Sequence, residues 1–390
     1  MSSEPERNVD EPRPFSIAAD PSLRALHRLH LTRRDGTPRA WALVAIAWVP
    51  LFVAALLRVA IGQRPAPILF DISVHARLLI AVPVMIHAER ILSLRCRSAI
   101  DQLYAGRFAD RAAVDLIIDK AERMRDSRLV EVALIVVVLL AGQAALWGLL
   151  APTGVIAGGS EAGSLSFARL WYVTVALPIA QFVMARWLWH WVIWSYVVVR
   201  VSRLPLATIA THPDRAAGIG FLGIPMSAFS GFVLAISAIL SSAWGTQILA
   251  GRAALQAFVP SFISFVILSA LVACGPLLLY IGMLYRARHR ELEQYNSLAL
   301  SYVRTFHRKW IEARRDPEAL LGTPDLQSLN DLIGSYQNLD QIRLVPFGPR
   351  PMISVWIATV TPMLPLVATT MPLDELLGHI GRALLGGIVG

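Results

Sequence analysis

Residues 41–61 read WALVAIAWVPLFVAALLRVAI, and Arg58 is the only charged side chain in the run. A bilayer core about 30 Å thick is crossed by roughly 20 apolar residues of helix, so this stretch predicts a membrane span and with it the class of the chain. Working outward from it, six further segments have comparable length and apolarity: 78–94, 129–150, 170–189, 218–244, 259–285 and 352–371. Together they predict an all-α fold, a polytopic transmembrane helix bundle of about seven spans with a helical cytoplasmic layer. The composition agrees. Of 390 residues 55% are hydrophobic and 16% charged, against about a quarter charged in soluble domains, and the mean hydropathy is +0.55. A water-soluble enzyme of ordinary composition is excluded. The second segment is flanked closely by charges, and Pro362, Pro365 and Pro372 interrupt the seventh, for which a re-entrant hairpin is the alternative to a span.

Orientation follows from the arginines, because basic residues near span ends are retained on the cytoplasmic side. With the N-terminus inside, 29 of the 36 basic residues fall in inner segments and six in outer ones, Arg186 lying within a span. The chain then divides into a tail and basic interfacial helix (1–39), two spans (40–97), cytoplasmic helices (98–128), four spans (129–285), a cytoplasmic helical extension (286–350), and a last span or re-entrant segment with its tail (351–390). Residues 1–15 are polar and lack the apolar core of a secretory signal, and a disordered tail is expected there. Asp20 and Pro21 start a short helix carrying Leu23, Arg24, Leu26 and Arg28, which lies on anionic lipid headgroups or is a solvated basic arm.

Two inner segments are long enough to pack together. Residues 98–128 read as a helix pair broken near Gly106. Beyond the sixth span Leu292, Tyr295, Ala299, Tyr302, Phe306 and Trp310 recur three and four apart, a helical seam. A continuous helix over 259–315 extends about 85 Å at 1.5 Å per residue, so its stripe is buried either on 98–128 or at a subunit interface. Thr323, Pro324 and Asp325 start another short helix, expected to end at Gly334. The seam, with Ser227 and Gly231 four apart on the fifth span, predicts a homo-oligomer; a cytoplasmic partner protein is the other use for such a layer. Cys96 and Cys274 sit at different membrane depths, and no disulfide is expected.

Ionisable groups at membrane depth are expensive and face the bundle interior or a wet cavity. Asp71 and His75, four apart, and His87, Glu89 and Arg90 bracket the second segment; an ion path and two snorkelling interfacial clusters are the competing readings. In the fourth span Gln181, Arg186 and His190 approach one face amid Trp187, Trp189, Trp191, Trp194 and Tyr196, either a cation or headgroup contact or an aromatic belt. Residues 211–223 read THPDRAAGIGFLG and match GxGxxG at Gly218, Gly220 and Gly223. A dinucleotide site is excluded in favour of a helix start, since no strand precedes the motif and a span follows it. Thr211 and Asp214 fit a capping box, and His212, Arg215, Arg200 and Arg203 beside such a helix start make it an anion candidate.

THPDRAAGIGFLG, with LLGTPDLQSLNDL at 320–332, VPF at 345–347 and TPMLPLVATTMPLDELL at 361–377, resembles an uncharacterised family of bacterial multi-pass inner-membrane proteins. The resemblance covers most of the chain from Arg39 onward. It implies a bacterial inner-membrane location and transfers no activity and no functional residue. Phosphate-loop, zinc-protease and nucleophile-elbow motifs are absent, no cofactor or metal is expected, and the basic charge at membrane borders reads as topology rather than nucleic-acid binding. The expectation is a non-enzymatic membrane protein: an ion channel or transporter leaning to anions, or a membrane-anchored scaffold or signalling subunit.

Overall fold

Two prolines inside apolar segments shape the helices that matter most. The computed structural model describes residues 39–62, 70–146, 167–313 and 323–367; the expected helix after Asp20, the end of the third segment and residues 368–390 lie outside them. The regular elements among the described residues are all helical. Helix α1 is Ala40–Ala60. Helix α2 runs over 72–105 as Ile72–His75, a wider π-helical turn at Ala76–Ala81 and then Val82–Ala105. Helix α3 is Arg111–Arg125 and α4 is Arg128–Leu146. Helix α5 covers 167–201 as Phe167–Trp171, a π turn at Tyr172–Ala176 and Leu177–Val201. There follow α6 (Met226–Leu249), α7 (Val259–Leu278), α8 (Ile281–Phe306, continued by a π turn at His307–Glu312) and α9 (Pro324–Asp340). Helix α10 is Pro349–Val360, followed by a 3-10 turn at Thr361–Met363 and a last helical turn at Leu364–Val367.

Both early π turns end just before a proline, Pro83 in α2 and Pro178 in α5. Proline has no N–H to give the carbonyl four residues back, and a widened turn lets the helix continue past it. Arg77 in the first π turn donates to the Tyr172 hydroxyl in the second, so the two distorted turns lie side by side.

Helices α2, α5 and α6 form the centre, with α1, α4, α7 and α10 packed around them. Gly231 permits the closest approach: a Cβ there would sit 2.7 Å from Ala88 Cβ. Trp187 stacks on Phe232 at 4.2 Å, and the Trp191 indole donates to Val272 O at 3.1 Å. The Ser237 hydroxyl donates to Thr359 O at 2.6 Å and that of Ser241 to Pro362 O, so α6 holds α10 where Pro362 breaks it. Apolar side chains also face outward, among them Leu57 on α1, Val137 and Leu140 on α4 and Ile267 and Leu271 on α7. Helices apolar on both inner and outer faces belong in a bilayer. Five stretches are long and apolar enough to cross one: Ala40–Ala60, Tyr172–Val201, Gly220–Leu249, Leu255–Leu278 and Pro349–Val367. They coincide with the first, fourth, fifth, sixth and seventh expected spans. Helices α2 and α4, the expected second and third, are not among them; α2 carries Arg77, Glu89 and Arg90.

Several local expectations are corrected. Thr211 to Asp214 is not a helix start: 202–219 is a folded loop, and α6 begins at Met226 after a 3-10 turn at Gly220–Gly223. The long helix from the sixth span is interrupted at Leu279 and Tyr280, where the Tyr280 hydroxyl donates to Val198 O at 2.8 Å. Its seam lies on α9 rather than on 98–128: Leu292 and Tyr295 cover Leu339 and Ile342, while Tyr302 and Trp310 donate to Asp325. The break at Gly106 is where the sequence places it, but α3 packs on α5. Helix α9 continues through Gly334 to Asp340. Gly231 lies at the contact of α6 with Ala88 of α2.

Candidate functional site

A carboxylate within an apolar helix bundle needs a cation, because a lone charge in low dielectric is far costlier than a paired one. Glu89 is 2% exposed, and α2 brings it against Arg186 (4%) and His190 (1%), one turn apart on α5. Arg186 Nε donates to Glu89 Oε1 at 3.0 Å, and Nη2 lies 2.9 Å from the same oxygen. His190 Nδ1 stands 3.3 Å away from it. Three nitrogens therefore converge on one oxygen, and Arg186 Nη1 is buried without a partner among the described residues. The Nη2 contact is an ion pair whose N–H is poorly aimed, so that nitrogen also retains donor capacity.

Beside this cluster is a cavity of about 330 Å³ reached by Glu89 and Arg186 and walled by Leu43 of α1, Ile135, Val138 and Leu139 of α4, and Thr174, Val175, Pro178, Ile179, Phe182 and Val183 of α5. A second cavity of about 310 Å³ lies toward α6, lined by Arg77, Gln181, Met184 and Ile236 among others; the Gln181 side-chain oxygen is buried without a partner among the described residues. Each cavity borders one of the π turns.

The remaining sequence candidates fall elsewhere. Asp71 caps α2, accepting from the Ser73 amide at 2.9 Å and its hydroxyl at 2.6 Å, and His75 Nδ1 accepts from the Trp48 indole at 3.0 Å. Both are engaged in holding the start of α2. His87 is exposed, away from Glu89. Arg200, Arg203 and Arg215 are also exposed, in contrast to Arg186. Trp187, Trp191 and Trp194 are buried core rather than an interfacial belt.

The glycine motif has a different use from the one its pattern suggests. Asp214 accepts from the amides of Ala216 (2.9 Å), Gly218 (3.0 Å) and Gly220 (3.0 Å), so its carboxylate fills the place an external anion would take. Partial burial pushes its pKa upward, but these three amides and His212, with Nδ1 3.0 Å from Oδ1, outweigh that and hold it below the ordinary 3.8. Gly218 has φ +87° and its Cα rests on Phe108, where a Cβ would come within 2.8 Å of the ring. The loop also receives Arg343 N on Arg215 O at 2.8 Å. It is a tie between the chain near 108, α6 and the segment before α10. Among the described residues no group of three His, Cys, Asp or Glu side chains is placed to hold a metal; Glu89 with His190 and His212 with Asp214 are pairs.

The sequence pattern places Arg186 and His190 on one face and does not join Glu89 to them. The available signal was charge pairing: one acidic and one basic residue in two separate apolar segments each need a partner. No protein-family model, no curated protein and no solved structure matches the chain.

Proposed function

We propose that this integral membrane protein is a transporter that takes an anion at Arg186, with Glu89 and His190 completing the site. The observation that carries the reading is an Arg–Glu–His cluster buried among apolar helices, beside a cavity, with guanidinium donors left over. Ionised groups at such depth are costly to maintain and mark substrate or ion pathways. Five apolar stretches, together with α2 and α4, make seven crossings of a bacterial inner membrane. The arginine distribution sets the N-terminus in the cytoplasm, where anionic lipid headgroups meet the basic tail and where α3, α8 and α9 form a helical layer. The Asp214 loop, expected to be an anion site, is a structural tie in this reading.

A second reading rests on α8 and α9. This hairpin leaves Leu298, Leu300, Val303, Leu326 and Ile333 exposed, which suits a homo-oligomer interface or a scaffold that binds a cytoplasmic partner.

Purified protein in proteoliposomes distinguishes the two. Uptake of a panel of inorganic and organic anions is expected above empty liposomes, lost in the charge-balanced Glu89→Gln/Arg186→Gln variant and retained in Asp214→Asn. No uptake under any gradient, pH or voltage rejects transport in favour of the scaffold.

A further inference from the structure

We infer that the ligand of this centre is an amphipathic monocarboxylic acid that enters sideways from the bilayer, its carboxylate on Arg186 and its tail in the cavity between α1, α4 and α5. The inference rests on the transport reading for the site and goes beyond it by naming the ligand class and its route.

The head group follows from the guanidinium. Its Nε and Nη2 face Glu89 Oε1, which leaves Nη1 and the outer side of Nη2 unsatisfied although the side chain is 4% exposed. Those two nitrogens form the second edge of a planar fork, and a fork edge is matched by two oxygens of a planar anion. A carboxylate satisfies it; a halide satisfies only part. When two carboxylates share Arg186, His190 is the neighbouring side chain with a ring nitrogen to offer, and it already stands 3.3 Å from Glu89.

The tail follows from the walls. Apart from Glu89, Arg186 and the Thr174 hydroxyl, whose proton is given to Leu170 O, the lining is hydrocarbon. About 330 Å³ corresponds to roughly eleven water volumes of about 30 Å³ each, space for one medium-length chain and too little for a two-chain phospholipid. Water in such a space would have few polar partners, so hydrocarbon is the better occupant.

The route follows from exposure. The cavity wall from α4 includes Ile135 and Leu139, 40% and 52% exposed on the flank of the bundle. On that flank α4 also presents Val132, Val136 and Leu140, an apolar surface that meets lipid rather than water. A ligand arriving there has already partitioned into the bilayer, unlike chloride or phosphate.

Photolabelling tests this without any gradient. Protein in lipid nanodiscs is irradiated with a diazirine analogue of octanoic acid, and the adducts are mapped by peptide mass spectrometry. Labelling is expected within 135–139 and 174–183. Octanoate should displace it at least tenfold more effectively than octanol, which has the tail without the charge, or acetate, which has the charge without the tail. Labelling should fall at least tenfold in Glu89→Gln/Arg186→Gln, provided this variant keeps its helical circular dichroism. Leu139→Trp, at an exposed position, should block it while leaving the polar centre intact. Equal displacement by octanol would reveal a general lipid groove, equal displacement by acetate or chloride an aqueous anion site; either overturns the inference, as does unchanged labelling in both variants. Labelling without flux in proteoliposomes would retain the acid site and reject transport. Arg186-dependent uptake of aqueous anions without labelling would do the reverse.

Discussion

Removing one member of the Glu89–Arg186 pair has an asymmetric cost, because a carboxyl group can escape its burial by taking a proton and a guanidinium cannot give one up. In Arg186→Met/His190→Phe, Glu89 is left 2% exposed with neither cation beside it. The cheapest folded form is then the neutral acid. Protonating a glutamate of ordinary pKa about 4.3 at pH 7 costs about 4 kcal/mol, at about 1.4 kcal/mol per pH unit. The sign follows from linkage: the folded variant holds a proton that the unfolded chain has lost, so stability falls as pH rises above about 4.3. The pH-dependent part of the deficit is therefore about 4 kcal/mol at pH 7 and about 1 kcal/mol at pH 5. Glu89→Gln strands the cation instead, costs about 3–5 kcal/mol, and gains nothing from acid. The double variant Glu89→Leu/Arg186→Met removes both charges and returns to within about 1–3 kcal/mol of wild type, the remainder being the contact His190 loses. The measurement is reversible unfolding in mixed micelles, followed by tryptophan fluorescence over pH 5–8 for the four proteins. A pH-independent deficit in Arg186→Met/His190→Phe, or a Glu89→Gln cost under about 1 kcal/mol, would show that the pair is solvated and would refute the reasoning.

Three further outcomes follow from local geometry. Gly231→Ala puts a Cβ 2.7 Å from that of Ala88 and should cost about 1–3 kcal/mol in the same assay, with Ala88→Gly restoring most of it; additive losses would mean that the two helices do not touch there. Asp214→Asn should destabilise by about 1–3 kcal/mol and speed amide exchange at 216–220; because the native carboxylate is held below 3.8, its stabilisation is full above that pH and drains away as pH falls through the lowered value, a loss the Asn variant should lack. Asp325→Ala removes the acceptor of the Trp310 indole at 2.9 Å and should raise amide exchange along α9 while leaving α5 unchanged; an unaltered α9 would place the docking energy elsewhere.

Much of this protein is written in one-dimensional pattern. An apolar run of span length has one stable solution in a bilayer, a helix that satisfies its own backbone, which is why 41–61 announces the class and why the described regular elements are helical. Gly106 as a break and the three-and-four spacing from Leu292 to Trp310 are legible for the same reason, since helix period and chain termination are local properties. Partners are not local. The seam states that something covers it, but only the fold chooses α9 over 98–128. Thr211 and Asp214 have the spacing of a capping box, yet the backbone turns left-handed at Arg215, Ala217 and Gly218 and wraps three amides around the carboxylate, a conformation held by contacts with Phe108 and Arg343 that are distant in the chain. Glu89 and Arg186 are 97 residues apart, and no period in either segment aligns them. The cost of a lone buried charge demands that each find a partner; the packing of α2 on α5, with Pro83 and Pro178 reshaping the turns before it, decides that they find each other.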